Sequence, residues 1–261
     1  MQRLTTKEYW DSLYAGAKAK MPKPKRLRFL RTICYSERIL WNNIFKKYLP
    51  KEKSLKILEV GSAPGDRLIK LHQLFGYTPY GVEYTKNGAN LNRKKFILHN
   101  IDPNNVIWAD FFSDDFQQKY KEYFDIVISR GFLEHFSNAK EAVQKHINLL
   151  RPQGTLIVII PNLRGFNKFL QSFLCKEAIA MHNLGIMERQ EFSELFEGIG
   201  LKILYCNYFG TFNFGLFRNR KKICDYLQWL LNIIFYLLFR NRGFENKFFS
   251  PYLIFIGRKR S

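Results

Sequence analysis

Between residues 54 and 162, short apolar segments alternate with segments of helical period, and this alternation limits the fold more than any other feature. The pattern predicts strands at Lys56–Val60, Tyr80–Glu83, Val106–Asp110, Phe124–Ser129 and Thr155–Ile160. It predicts helices near Asp66–Leu74, Lys86–Ile97, Ser113–Lys121 and Asn138–Leu150. Such alternation is typical of an α/β domain with a mainly parallel sheet and helices on both faces.

Acidic and small residues stand where the predicted strands end. Ligands of open α/β sheets bind beyond the carboxyl ends of the strands, so these positions are the candidate site. The first strand leads into "EVGSAPGD", where Gly61 and Gly65 allow a sharp turn and a close approach of the backbone to a ligand. Glu83 follows Gly61 by 22 residues, about the spacing at which an acid meets a ribose diol in dinucleotide-binding folds.

Two phosphate-binding motifs are absent from this loop. A GxGxxG fingerprint starting at Gly61 needs glycine at positions 63 and 66, which are Ala63 and Asp66. No GK[ST] sequence follows the loop, so it is not a P-loop. A ligand that carries a nucleoside without phosphates fits these residues better.

Five ordered motifs resemble those of the class I S-adenosylmethionine-dependent methyltransferases. They are "ILEVGSAPG", "YGVEYT", "VIWADFF", "FDIVISRGFLEHF" and "LLRPQGTLIVIIPN", and a weaker likeness continues through "FSELFEGIGLKILYCNYFG". The resemblance implies a Rossmann-like fold with a mainly parallel seven-stranded sheet and helices on both faces. It implies S-adenosylmethionine as cofactor and S-adenosylhomocysteine as product. The last two strands correspond to "LKILYCNYF" and "SPYLIFIGRKR", so a helical insertion separates them here.

The resemblance also implies roles for individual residues. The methionine part of the donor would lie over the first loop, which supplies Glu59, Gly61, Ser62, Ala63 and Gly65. Glu83 matches the acid that binds both ribose hydroxyls, and Tyr84 follows it in the same site. Asp110 and Phe111 match the pair beside adenine. Ser129 and Arg130 match the strand end near the methionine and the acceptor. A diol and an amine are hydrogen-bond donors, which suits carboxylates.

Methyl transfer to an oxygen also requires removal of the acceptor's proton, and histidine is the natural base near neutral pH. We expect this role first for His182, in "AMHNLG", and second for His135, in "RGFLEHF". A structural role for His135 is an equal alternative. Tyr9 and Trp10 are expected to pack rather than to join the site. The four cysteines lie far apart without a CxxC pair, so we expect no metal site and a reducing, cytoplasmic setting.

Positive charge is concentrated at the two ends of the chain. Residues 1–53 carry 14 Lys and Arg against 4 Asp and Glu, and residues 201–261 carry 11 against 2. Residues 54–200 are nearly neutral, with 17 against 16. Basic ends favour contact with an anionic surface, either a membrane or a nucleic acid. The run "KAKMPKPKRLRFLR", Lys18 to Arg31, suits either partner.

The insertion contains the apolar stretch "ICDYLQWLLNIIFYLLF", Ile223 to Phe239, between basic clusters. At 17 residues with Asp225, Gln228 and Asn232, it is too short and too polar to predict a membrane span. On a helix these polar residues form one narrow stripe opposite a broad apolar face, which favours a helix lying in a membrane interface. Packing in the core or in a dimer is the alternative.

These features predict four parts: a basic N-terminal helical segment at 1–53, a methyltransferase core at 54–210, the insertion at 211–249, and a final strand with a basic tail at 250–261. The first functional hypothesis is O-methylation of a small-molecule, glycan or lipid-linked acceptor at the cytoplasmic face of a membrane. An RNA methyltransferase that uses the basic N-terminus is the second. Base modification is less favoured, because "SRGF" stands where many base-modifying enzymes carry [DN]PP[YF]. Methylation of a ribose 2′-oxygen stays open, because such enzymes have no compact sequence signature. A non-catalytic scaffold is the third, and the oligomeric state stays open.

Overall fold

The computed structural model describes residues 2–19, 35–174, 179–211 and 245–261, together with positions 230, 233–234 and 237–238, and leaves the side chains of 170–174 undescribed. Its strands are β1 (Lys56–Val60), β2 (Thr78–Glu83), β3 (Val106–Trp108), β4 (Phe124–Arg130), β5 (Leu150–Pro161), β6 (Leu201–Phe209) and β7 (Tyr252–Lys259). Its α-helices are α1 (Lys7–Tyr14), α2 (Tyr35–Ile39), α3 (Asp66–Phe75), α4 (Lys86–Leu98), α5 (Asp114–Lys119), α6 (Ala139–Asn148), α7 (Gly165–Leu174) and α8 (Arg189–Glu194). Helix α2 continues through a π-helical turn, Leu40–Phe45, to Lys46–Tyr48.

One seven-stranded sheet organises the chain, in the order β3-β2-β1-β4-β5-β7-β6. The pairs among β1 to β5 are parallel, and β7 runs antiparallel to both of its neighbours. The mainly parallel, seven-stranded, Rossmann-like fold is therefore confirmed. The carboxyl ends of β1, β2 and β4 meet at one edge, since Val60 pairs with both Val82 and Ser129.

Apolar side chains cover both faces of the sheet, as the continuous hydrophobic character of its inner strands requires. Leu58, Val60 and Val127 belong to one buried cluster, whereas Ile57 and Ile126 belong to a second cluster on the opposite face. Neighbouring residues along a strand point to opposite faces, so each strand contributes to both clusters. This two-sided burial fixes the strand ends that build the site.

Local signals set the helix boundaries close to the predicted ones. Helix α3 lies between Gly65 and Gly76, whose φ angles of 89° and 75° are left-handed and suit glycine. Helix α5 begins after Ser113, whose hydroxyl accepts from the Phe116 amide. The Asn138 side chain caps α6 in the same way, through the Glu141 amide.

Most of the insertion between β6 and β7 lies outside the described residues, as does most of the basic run Lys18–Arg31. Within its apolar stretch Ile223–Phe239, the described positions Leu230, Ile233, Ile234, Leu237 and Leu238 are helical. Within the described ranges, none of the helices combines the length and the apolar character that crossing a bilayer requires.

Candidate active site

A pocket opens at the carboxyl ends of β1, β2 and β4 and encloses about 790 Å³ of empty space, its open mouth included. Most residues predicted to bind the donor line it: Gly61, Ala63, Glu83, Tyr84, Asp110, Phe111 and Arg130. These residues come from four separate segments of the chain. These acids and small residues are spread over some seventy positions of the sequence, and the sheet topology brings them together in one place.

The loop after β1 forms one side of the pocket. Gly61 and Ala63 line it, while Ser62 and Gly65 support the loop from behind. The Gly65 amide donates to the Ser62 carbonyl at 2.8 Å, and the Ser62 hydroxyl accepts from Asn92 Nδ2 at 2.8 Å. A Cβ atom at Gly65 would lie 2.1 Å from Asn92 Oδ1, so glycine is required there for space as well as for conformation.

Glu59 and Ser129 are buried and do not line the pocket. The Arg67 guanidinium of α3 donates to Glu59 Oε1. This ion pair joins the end of β1 to the helix that follows the loop. Ser129 pairs in register with Val60, directly beside that strand end. Contact of Glu59 and Ser129 with the donor stays a prediction.

Glu83 ends β2 with its carboxylate held in place. Its Oε1 accepts from the Thr85 amide at 2.9 Å and from the Thr85 hydroxyl at 2.7 Å, and Oε2 accepts from the Ala63 amide at 3.4 Å. Burial raises the pKa of Glu83 above its ordinary value, although these hydrogen bonds oppose the shift. A buried carboxylate with an edge on the pocket suits two ribose hydroxyl donors.

Asp110 follows β3 and contacts the N-terminal segment. Its Oδ1 accepts from the Phe112 amide at 3.0 Å, and its Oδ2 accepts from Arg3 Nη2 at 2.5 Å. Each carboxylate oxygen has a further acceptor site, so an exocyclic amine can still bind Asp110. Phe111, 4% exposed, presents its ring to the same part of the pocket.

Arg130 ends β4 and is held on two sides. Its Nη1 donates to Glu37 Oε1 at 2.7 Å, and its guanidinium lies 4.6 Å from the ring centre of Tyr252. Burial opposes ionisation of Glu37, but the Arg130 guanidinium brings the pKa of that carboxyl below its ordinary value. Arg130 thus presents a fixed positive charge near the loop after β1.

The two candidate bases lie side by side, but only one of them lines the pocket. His135 lines the pocket and His182 does not, although their ring centres lie 4.6 Å apart. His135 Nδ1 donates to the Met181 carbonyl at 2.9 Å. Burial and the neighbouring His182 lower the pKa of His135 to about 4, so the ring is neutral at pH 7. Burial raises the pKa of the adjacent Glu134 carboxyl to about 8.

The N-terminal segment covers the pocket, and sequence reasoning missed its contribution. Residues Thr5, Trp10 and Tyr14 line the site together with Arg3. Trp10, which we expected only to pack, has its ring centre 5.1 Å from that of His135. The Tyr14 hydroxyl donates to the Ala63 carbonyl at 3.2 Å. The four-residue spacing of Trp10 and Tyr14 places both on one face of α1, and this spacing could have indicated that the two residues act together.

Aromatic rings complete the wall between His135 and Asp110: Phe112, Phe132 and Phe136. The rings of Phe112 and Phe132 are stacked, with centres 6.0 Å apart and planes 16° from parallel. This wall is apolar, so it limits water around a reacting methyl group.

Comparison with known proteins identifies the family of this chain. The methyltransferase domain family matches residues 35–205. The Plasmodium falciparum phosphoethanolamine N-methyltransferase is 24% identical over 108 residues, which are 40% of this chain and 38% of that protein. This chain therefore spans well under half the length of that relative.

Two solved structures share the fold. Geranyl diphosphate C-methyltransferase from Streptomyces coelicolor, in complex with Mg²⁺, geranyl diphosphate and S-adenosyl-L-homocysteine, aligns with a TM-score of 0.61 at 10% identity and covers 97% of this chain and 98% of its own. Phosphoethanolamine N-methyltransferase 2 from Haemonchus contortus, with phosphomonomethylethanolamine and S-adenosylhomocysteine, aligns with a TM-score of 0.56 at 14% identity and covers 85% and 53%. With a family match over residues 35–205, the chain belongs to the methyltransferase domain family, and it shares the fold of these two enzymes.

Proposed function

We propose that this protein transfers a methyl group from S-adenosylmethionine to an oxygen of a small-molecule, glycan or lipid-linked acceptor at the cytoplasmic face of a membrane. One observation carries the methyl-transfer part of the proposal: the neutral His135 and an aromatic wall line the same pocket as the carboxylates of Glu83 and Asp110. Donor and acceptor subsites thus share one cavity.

The donor's position follows from the charges of the pocket. Its ribose hydroxyls would donate to Glu83, and its adenine amine to Asp110. Its methionine end would then lie over Gly61 and Ala63, within reach of the positive charge of Arg130. In this orientation, the methyl group on the sulfonium between the two ends would reach the wall that contains His135. Methyl transfer needs chiefly this alignment, since the sulfonium is already a good leaving group.

The acceptor's proton needs a destination on the same wall. His135 Nδ1 donates to a backbone carbonyl, so Nε2 of the neutral ring keeps a lone pair. Glu134 and His182 adjoin this ring. We assign proton acceptance to this group of three residues rather than to His182 alone. The group suits a hydroxyl acceptor, whose proton has to leave as the new bond forms.

The insertion supports the membrane part of the proposal. Its described apolar residues Leu230, Ile234, Leu237 and Leu238 are 38%, 41%, 59% and 67% exposed. Their spacing places them on one face of a helix. An exposed apolar face with basic clusters nearby in sequence is typical of a helix that lies in a membrane interface. The relatives named above are named for methyl transfer to phosphoethanolamine and to geranyl diphosphate, which are small phosphate-bearing molecules, and this favours a small acceptor.

The test is to incubate the full chain with methyl-labelled S-adenosylmethionine and host extract, then to count label in lipid, glycan, small-molecule and RNA fractions. A Glu83→Ala variant is the matched control for donor-dependent labelling. Label in the lipid, glycan or small-molecule fraction, absent with the variant, supports the proposal. Label in RNA replaces it with the RNA hypothesis, and no label in any fraction supports the scaffold hypothesis.

Vesicle binding tests the location separately. The protein should bind anionic vesicles, and deletion of residues 221–242 should abolish this binding. Vesicle binding that survives the deletion refutes the role given to the insertion.

A further inference from the structure

We propose that Glu134, His135 and His182 form a binding site for a divalent first-row transition-metal ion at the edge of the pocket. Each residue offers one ligand atom, and the three atoms lie within 4.8 Å of one another. Two imidazoles and one carboxylate are a donor set that such ions bind with open coordination positions. The cysteine pattern does not bear on this site, because its donors are nitrogen and oxygen.

The orientation of His135 suits a metal ligand. A carbonyl oxygen only accepts, so the Nδ1 atom that contacts the Met181 carbonyl at 2.9 Å carries the hydrogen. In the neutral ring, Nε2 then holds an unshared electron pair. Metal-binding histidines are commonly held this way, with the second ring nitrogen donating to a backbone carbonyl.

The buried carboxyl group of Glu134 also indicates a cation site. Its side chain is almost fully buried at 1% exposure, and its Oε2 has no hydrogen-bond partner within the described part of the chain. Its Oε1 lies 3.9 Å from His135 Nε2, too far for a hydrogen bond. His135 Nε2 and the Glu134 carboxyl group thus lie close together in a buried place, where a polar oxygen without a partner is costly. A cation between them removes this cost.

Backbone contacts bring the third ligand into place. The Asn183 amide donates to the Glu134 carbonyl at 2.6 Å, and Asn183 Nδ2 donates to the Phe136 carbonyl at 3.2 Å. These bonds clamp residues 181–183 onto residues 134–136, so the ring of His182 lies 4.6 Å from that of His135. The three ligands are therefore positioned before an ion binds.

The role of the ion rests on the proposed function, whereas its binding does not. His135 lines the pocket, so an open coordination position on the ion can take the acceptor hydroxyl. With the ion bound, the three side chains are its ligands and would no longer take the acceptor's proton. The ion would instead lower the pKa of that hydroxyl, and the proton would pass to water. An oxygen lone pair then bonds to the methyl carbon, and the electrons of the carbon–sulfur bond stay on sulfur, giving S-adenosylhomocysteine.

Cobalt(II) is the probe for binding, since its visible absorption reports nitrogen and oxygen ligands. Titration of the full chain should give one Co²⁺ per chain. Glu134→Gln and His182→Ala should each lower the affinity by at least about tenfold. His99→Ala, which removes a histidine outside the cluster, should leave the affinity unchanged. Thermal unfolding and S-adenosylhomocysteine binding show whether each variant is folded, and His182, being only half-buried, is the variant to use if Glu134→Gln fails to fold.

No saturable Co²⁺ binding, or equal affinity in the wild type and both cluster variants, overturns the site. The catalytic role is tested by comparing methyl transfer after EDTA treatment with transfer after Mn²⁺ or Co²⁺ is restored. Full activity without metal overturns the role of the ion. Saturable Co²⁺ binding with no methylated product in any fraction supports the metal site but refutes the proposed function.

Discussion

His146 should make the fold sensitive to acid. The residue lies in α6 with no exposed surface, and its ring packs 4.7 Å from that of Phe111, which lines the pocket. Its Nδ1 donates to the Ala142 carbonyl at 2.7 Å, and its Nε2 has no partner among the described residues. Burial lowers the pKa of His146 from the ordinary 6.5 to about 4. The folded protein therefore resists protonation that the unfolded chain accepts.

The direction of the effect follows from proton linkage. Between pH 6.5 and pH 4 the unfolded chain binds a proton at this histidine and the folded protein does not, so acid favours unfolding. The stability from neutral His146 is fully present above the unfolded pKa and is lost as the pH falls through the folded one. A shift from 6.5 to about 4 corresponds to about 3 kcal/mol of unfolding free energy.

Urea unfolding of the wild type and a His146→Leu variant at about pH 8 and about pH 4 measures this term. Other groups titrate in both proteins, so the difference between the two unfolding free energies isolates His146. That difference should shrink by about 3 kcal/mol on acidification. A His99→Gln variant serves as the control and should run parallel to the wild type. A constant difference between wild type and His146→Leu would refute the reasoning.

Three further variants test the site. Gly65→Ala should lower the unfolding free energy by about 2–3 kcal/mol, because the new side chain adds left-handed strain and a close contact with Asn92. Gly198→Ala is the control, since Gly198 has a similar φ of 73° but lies in open space, so its substitution adds only the strain. Equal losses in the two variants would show that the contact with Asn92 does not matter. Glu83→Ala should weaken S-adenosylhomocysteine binding, measured by calorimetry, without unfolding the domain, and unchanged affinity would remove it from the donor site. His182→Ala should keep donor binding and lower turnover by roughly a hundredfold, and undiminished turnover would remove it from the proton-accepting group.

The sheet and its helices were predictable because their signals are local. Apolar runs of strand length, the capping residues Ser113 and Asn138, and the glycines that flank α3 lie within a few positions of the boundaries they set. β1 and β6 begin and end at the predicted residues. The clustering of the acids at the strand ends was predictable from the same signals, since a parallel sheet brings the carboxyl ends of its strands together.

The cover of the pocket was not predictable in this way. Arg3 reaches Asp110 across 107 positions, and the Leu4 amide donates to the His135 carbonyl at 2.8 Å. Such contacts depend on how the folded sheet presents its edge, which the N-terminal residues do not reveal. For Glu59, the position at the end of β1 was predictable from the sequence. Its ion pair with Arg67 was not, because that pair depends on how α3 packs.

The position of β7 in the sheet has a consequence for synthesis on the ribosome. This strand is the seventh in chain order, yet it lies between β5 and β6, and β6 pairs with β7 at the edge of the sheet. As the chain emerges, β6 has no partner, and one edge of β5 stays uncovered, until residues 252–259 have been made. Uncovered strand edges promote aggregation. Nascent chains that stall between β6 and β7 should therefore be the forms that need chaperones most.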